Sequence, residues 1–170
     1  PFTKIDGIIF THEHYDHVGG IDALRPFSQF GSVELYMECH LEQAVRERMP
    51  YCFAPLKYKG VPDLRINKIN EKDRFYMGDT PITPIRVMHY KLPILGFRIY
   101  NFAYLTDVKS IPEDQFSKLR GLDTLVISAL RRTEHISHQT LDDALRLSEK
   151  INPKRTYFSH MSHEMGLHSN

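Results

Sequence analysis

The stretch "FTHEHYDHVGG", from Phe10 to Gly20, brings His12, His14, Asp16 and His17 within six residues. Neutral imidazoles and carboxylates suit zinc, manganese or iron better than calcium. Residues two apart in an extended loop point the same way, so His12 and His14 can share one ion. Asp16 and His17 stand where the chain turns and can face a second ion beside the first. Two cations about 3.5–4 Å apart, bridged by a hydroxide, make a hydrolytic site. More donors follow: His89, Asp107, the pair His135 and His138 in "EHISH", and His160 and His163 in "SHMSH". Ten histidines in 170 residues, clustered in this way, point to sites rather than scattered surface imidazoles.

The elements that would position these residues alternate between strands and helices. "KIDGIIF" (4–10) predicts a short buried strand that runs straight into the histidine cluster. Gly19 and Gly20 open a helix that should end near Pro26. A strand over 32–37, a helix over 40–49, a long aromatic loop over 50–60 and a strand over 64–69 come next. Strands are expected over 82–89 and, as a pair, over 96–107. Ser110 and Glu113 have capping-box spacing with Pro112 between them, which predicts a helix start. A strand over 123–128 precedes a helix over 140–151, with Thr140 and Asp143 at capping-box spacing. That helix should carry Leu141, Ala144, Leu145 and Ser148 on one face and stop at Pro153. A last strand over 154–159 ends at His160. This alternation predicts an α/β layered domain spanning 1–170. His12, His89, Asp107 and His160 each fall at a strand end, and strand ends on one side of a sheet converge.

Composition narrows the function. Formal net charge is +1, so no strong field draws the chain to nucleic acid or membrane. No apolar run approaches the roughly 20 residues of a membrane span, and no signal peptide opens the chain. A cytoplasmic protein with Cys39 and Cys52 reduced is the expectation. His40 opens a helix away from the motifs and reads as surface.

His12-x-His14-x-Asp16-His17 followed by Gly19-Gly20 resembles the signature of the metallo-β-lactamase fold superfamily. "YLTD" and "YFSHMSHEMGLH" are similar to later motifs of that family, and "SALRRTEHISHQTLDDAL" to a stretch of its phosphodiesterase branch. The branch that includes the phosphoribosyl cyclic phosphate phosphodiesterase is the nearest likeness. The resemblance implies an αββα four-layer sandwich. It implies that His12, His14 and His89 hold one metal, that Asp16, His17 and His160 hold a second, and that Asp107 bridges them. His163 or His168 could replace His160. It also implies that His138, with His135 as its rival, is a catalytic group that binds no metal. Asp16, besides ligating, would hold the reacting geometry. The metals would be two divalent ions, Zn²⁺ or Mn²⁺, with iron also acceptable.

The activity so implied is hydrolysis of a small or cyclic phosphodiester through a hydroxide between the two metals. His138 lies two residues before Thr140, near the positive end of the following helix, a placement that disfavours its charged form. Arg131 and Arg132 could reach a substrate phosphate or be a solvated pair. Tyr15 would pack beside the entrance. Other hydrolyses (a thioester, a lactone, an RNA) and a non-catalytic metal-binding role are the alternatives. An RNA substrate is disfavoured because no basic Gly/Pro-rich arm is present. A homodimer is compatible with the sequence. Relatives carry strands before the histidine signature and after the closing histidine, so this sequence is expected to be part of a longer chain. Alone it should expose sheet edges and be poorly stable.

Overall fold

The computed structural model describes residues 4–166. It is a mixed α/β fold with a three-stranded and a six-stranded sheet. Two compact units are present. One is built on the chain up to Asp73 with Met77–Asp79, the other on Arg74–Tyr76 and the chain from Thr80 onward.

The first unit carries a parallel sheet of β1 (Ile8–Ile9), β2 (Val33–Met37) and β3 (Leu64–Lys68), in that order. Val33, Leu35 and Met37 alternate into the core, as a period of two requires. Parallel neighbours need long connections. Here these are α1 (Tyr15–Val18), a 3-10 segment over Gly19–Phe30, α2 (Cys39–Arg48) and α3 (Pro50–Phe53). Helix α2 buries Leu41 and Val45, as its spacing predicts. The segment expected to stop at Pro26 instead runs to Phe30. It does so as a 3-10 helix, with Ile21 and Leu24 buried. The expected loop after residue 50 begins with the single turn of α3.

The six-stranded sheet has the order β4 (Phe75–Met77), β5 (Thr80–His89), β6 (Leu92–Ile99), β7 (Phe102–Leu105), β8 (Thr124–Ser128) and β9 (Arg155–Ser159). Pairs β5–β6 and β6–β7 are antiparallel through two-residue links; β7–β8 and β8–β9 are parallel. β4 has no counterpart in the sequence reading. Gly96 is required: a Cβ there would lie 2.3 Å from Leu105 Cδ2. Ile85, Val87, Leu105, Leu125 and Ile127 form the core of this unit with Ala144 and Ile151 of α4 (Leu141–Ile151).

Two helix expectations divide here. Thr140 caps α4 with both capping-box bonds: its hydroxyl accepts from Asp143 N and its own N–H donates to Asp143 Oδ2. Leu145, expected on the buried face, is 44% exposed, and Leu147 packs on the core instead. Ser110 caps nothing. Its N–H and C=O pair with Met88, so the next helical segment is a 3-10 turn over Glu113–Leu119 with Pro112 at its start. Among the described residues no helix is long and apolar enough to cross a membrane. Cys39 and Cys52 are both free thiols.

Candidate metal centre

In the first unit, the strand β1 ends just before the signature, and Phe10 N still donates to Tyr36 O. His12 is fully buried, with Thr11 Oγ1 3.0 Å from its Nδ1. Its other nitrogen, Nε2, lies 3.0 Å from His14 Nδ1. Two ligands on one tetrahedral ion at 2.0–2.1 Å would stand about 3.3 Å apart, so this pair is close to ligand spacing. The chain then turns into α1, where His17 N and Val18 N both donate to His14 O. That turn brings the His17 ring to 4.2 Å from the His12 ring and its Nε2 to 3.2 Å from Asp16 Oδ2. His14 and Asp16 remain exposed. The Glu13 carbonyl accepts from Arg48 of α2, which fastens the loop to the helix. His40 is a surface residue, 3.9 Å from Glu13.

In the second unit, four of the named residues meet where β5, β7, β8 and β9 end. His89 Nδ1 lies 3.0 Å from the Asp107 carbonyl. A carbonyl only accepts, so Nδ1 carries the proton and Nε2 keeps its lone pair for a metal. Asp107 is 2% exposed. Thr106 Oγ1 donates to its Oδ2 at 2.9 Å, while Oδ1 stands 3.4 Å from His138 Nδ1 and 3.3 Å from His160 Nε2. Asp107 and His160 both have left-handed backbone, at φ 53° and 54°. A non-glycine residue held there stores strain, a frequent property of functional sites.

The donor set fits a divalent cation. A buried carboxylate is ringed by imidazoles, and His138 Nδ1 is enclosed without a hydrogen bond. His89, Asp107 and His138 each offer a ligand atom, all within 4.8 Å of one another.

His138 is held well below the ordinary imidazole range, at about 4. Burial is the main cause, and the attraction of Asp107 opposes it without prevailing. The ring is therefore neutral at pH 7. The sequence-based expectation had the right direction from the helix end, but desolvation supplies it.

The alternative residues take these positions. His135 Nδ1 accepts from Ser137 N, and its ring lies 5.0 Å from the His138 ring. His163 is exposed on a 3-10 turn, and His168 lies outside the described residues. Arg131 is partly buried. Its guanidinium donates to the carbonyls of Thr133 and Glu134 and pairs with Glu164. Arg132 is exposed. Tyr15 is 73% exposed and leans over Gly19. The sequence reading missed Thr106 and Lys109, whose only signal was polarity beside Asp107 in "LTDVK".

The family model described as "Beta-lactamase superfamily domain" matches residues 1–161. The chain belongs to the β-lactamase superfamily. It has the metallo-β-lactamase fold. A crystal structure of a new diphosphatase from the PhnP family is similar over 99% of this chain and 64% of that one. Its TM-score is 0.89 at 33% identity. The metallo-β-lactamase fold protein YhfI from Bacillus subtilis is similar over 98% of this chain and 68% of its own, with TM-score 0.74 at 20% identity. A curated relative, an octanoyltransferase from Porphyromonas gingivalis (strain ATCC BAA-308 / W83), is 36% identical over 166 residues. The match takes in 97% of this chain and 34% of the relative. The chain thus spans about a third of the curated relative that it matches. Superfamily members of this fold are metal-dependent hydrolases, and the His/Asp groups above are candidate ligands for such a metal.

Proposed function

We propose that the chain is a metal-dependent phosphodiesterase for a small or cyclic phosphodiester. Its ligands are taken to be His12, His14, Asp16, His17, His89, Asp107 and His160, with His138 as a catalytic group. The observation that carries the reading is the buried Asp107 carboxylate with His138 and His160 at 3.4 and 3.3 Å. The likeness to a PhnP-family diphosphatase supports a phosphorus centre as the point of attack.

Two divalent cations, Zn²⁺ or Mn²⁺ with iron as a third choice, would supply Lewis acidity and lower the pKa of a water to near neutrality. The chain supplies the rest. Asp107 brings negative charge into a buried position and is itself held by Thr106. His89 keeps its ring orientation through the Asp107 carbonyl. Asp16 orients the reacting groups from the signature loop. His138 hydrogen-bonds the charge that develops on the phosphate oxygens or on the departing oxygen. Val108 and Leu105, chain neighbours of Asp107, are fully buried in the core of the second unit.

A second reading is favoured by the relative's printed activity: the same groups could act on a diphosphate. The octanoyltransferase name belongs to a chain about three times as long. It motivates testing a thioester and no more.

The test is elemental analysis of the full-length protein, paired with hydrolysis of bis-p-nitrophenyl phosphate under Zn²⁺ and Mn²⁺. Expected are about two metals per chain and turnover. His138→Ala should keep its metal and lose turnover by on the order of 10²–10⁴. Metal without diester hydrolysis, but with cleavage of a diphosphate, would favour the second reading. A protein that takes up no metal would sink both.

A further inference from the structure

Lys109 stands where three parts of the second unit are fastened. It lies two residues after Asp107, and its backbone N–H donates to the carbonyl of Met88 at 2.7 Å. Met88 immediately precedes His89. Ser110 completes the same bridge with Met88, so this main chain ties the end of β7 to the end of β5.

The side chain goes elsewhere. Lys109 Nζ donates to the carbonyls of His135 at 2.7 Å and His138 at 3.2 Å. A lysine gives up more rotamer freedom than almost any other residue when it is held. Here it is held by a loop with no regular structure of its own, spanning 131–139 and closed at its base by the bridge Arg131–Thr140. Arg131 stiffens that loop from within, on the carbonyls of Thr133 and Glu134. Gln139 N, donating to Val108 O, ties down its last residue. Lys109 grips the carbonyl of His138 itself. His138 Nδ1 makes no hydrogen bond, so the ring is placed only by packing against His89, His135 and His160 and by the course of its own main chain.

We infer that Lys109 is a positioning residue that holds the 131–139 loop so that the His138 ring stays against Asp107. Its ammonium is spent on main-chain carbonyls, and it acts on the reaction through His138. Charge-assisted bonds to carbonyls are stronger than the water contacts that would replace them. Loss of the ammonium frees both carbonyls and lets the loop shift. Displacements of about 1 Å in a catalytic group lower turnover by on the order of 10². The kinetic consequence rests on the function proposed above; the positional one does not.

The experiment uses full-length, metal-loaded protein with Lys109→Met, which keeps the stem, and Lys109→Arg, which keeps the charge. Hydrogen exchange over 131–139 should quicken by about tenfold or more in the Met variant, with β5 and β8 unchanged. Arginine should recover most of that protection. Metal content should match wild type. Turnover should fall by on the order of 10–100-fold with KM within about threefold. In a His138→Ala background the same Lys109→Met change should cost little more, because the two residues act as a unit. Unchanged loop exchange overturns the inference. So does an equal loss of turnover in both backgrounds, or faster exchange throughout β5 and β8. Should the wild type hydrolyse no phosphate ester, the proposed function fails and loop exchange alone decides the role of Lys109.

Discussion

Asp107 is constrained twice, by chemistry and by backbone. Its carboxylate faces His138 and His160, and its φ of 53° is one that Asp and Asn adopt at less cost than most longer side chains. Charge and shape can therefore be separated by substitution. Asp107→Asn keeps the shape and the backbone preference and loses the charge. Asp107→Glu keeps the charge but pays for left-handed backbone and for an added methylene in a buried site, about 1–3 kcal/mol together. Metal-free Asp107→Asn should thus be as stable as wild type to denaturant, and Asp107→Glu less stable by that amount. Equal stability of the two variants would mean that the backbone imposes no such filter. At this scale the meeting of His89, Asp107 and His160 was legible in the sequence because each stands at or just after a strand end, and strand ends gather. The supports were not. Nothing in "LTDVK" says that Thr106 binds the carboxylate or that Lys109 turns away to a loop about thirty residues on. Those bonds depend on which surfaces meet, and one sequence does not encode that locally.

At the scale of elements, α4 was the most legible part because its signals are local. The Thr140–Asp143 box lies within one turn, and both of its bonds form. The similar spacing of Ser110 and Glu113 failed because a long-range partner, Met88, took the backbone groups of Ser110 first. Leu145 faced outward because the core follows Ala144, Leu147 and Ile151. The box also makes a pH prediction. Burial pushes the Asp143 carboxyl up, but bonds from the Thr140 N–H and hydroxyl and from Arg146 outweigh it and hold it below the usual carboxylate range. A depressed folded pKa stabilises above the unfolded value and is lost as pH falls through the acid range. Thr140→Ala should cost about 1 kcal/mol at pH 7 in chemical denaturation, and less near pH 3, where the box is already weakened. A cost that stays constant with pH would remove Asp143 from the account.

The whole molecule has one asymmetry that bears on time rather than on structure. Strands β5, β6 and β7 follow one another through the two-residue links 90–91 and 100–101, whereas β8 and β9 join in parallel only after the long crossovers 106–123 and 129–154. Near neighbours close quickly and distant ones late. As the chain leaves the ribosome, β5–β7 can pair first, bringing His89 and Asp107 together at the ends of β5 and β7. His138 and His160 must wait for both crossovers to close. Pulsed hydrogen exchange during refolding should protect the amides of β5–β7 before those of β8 and β9, and simultaneous protection would reject this order. The centre is therefore assembled in instalments. During its growth the chain passes through a stage with His89 and Asp107 in place and His138 and His160 still to arrive, and a metal ion captured then would lack His160 of its final shell.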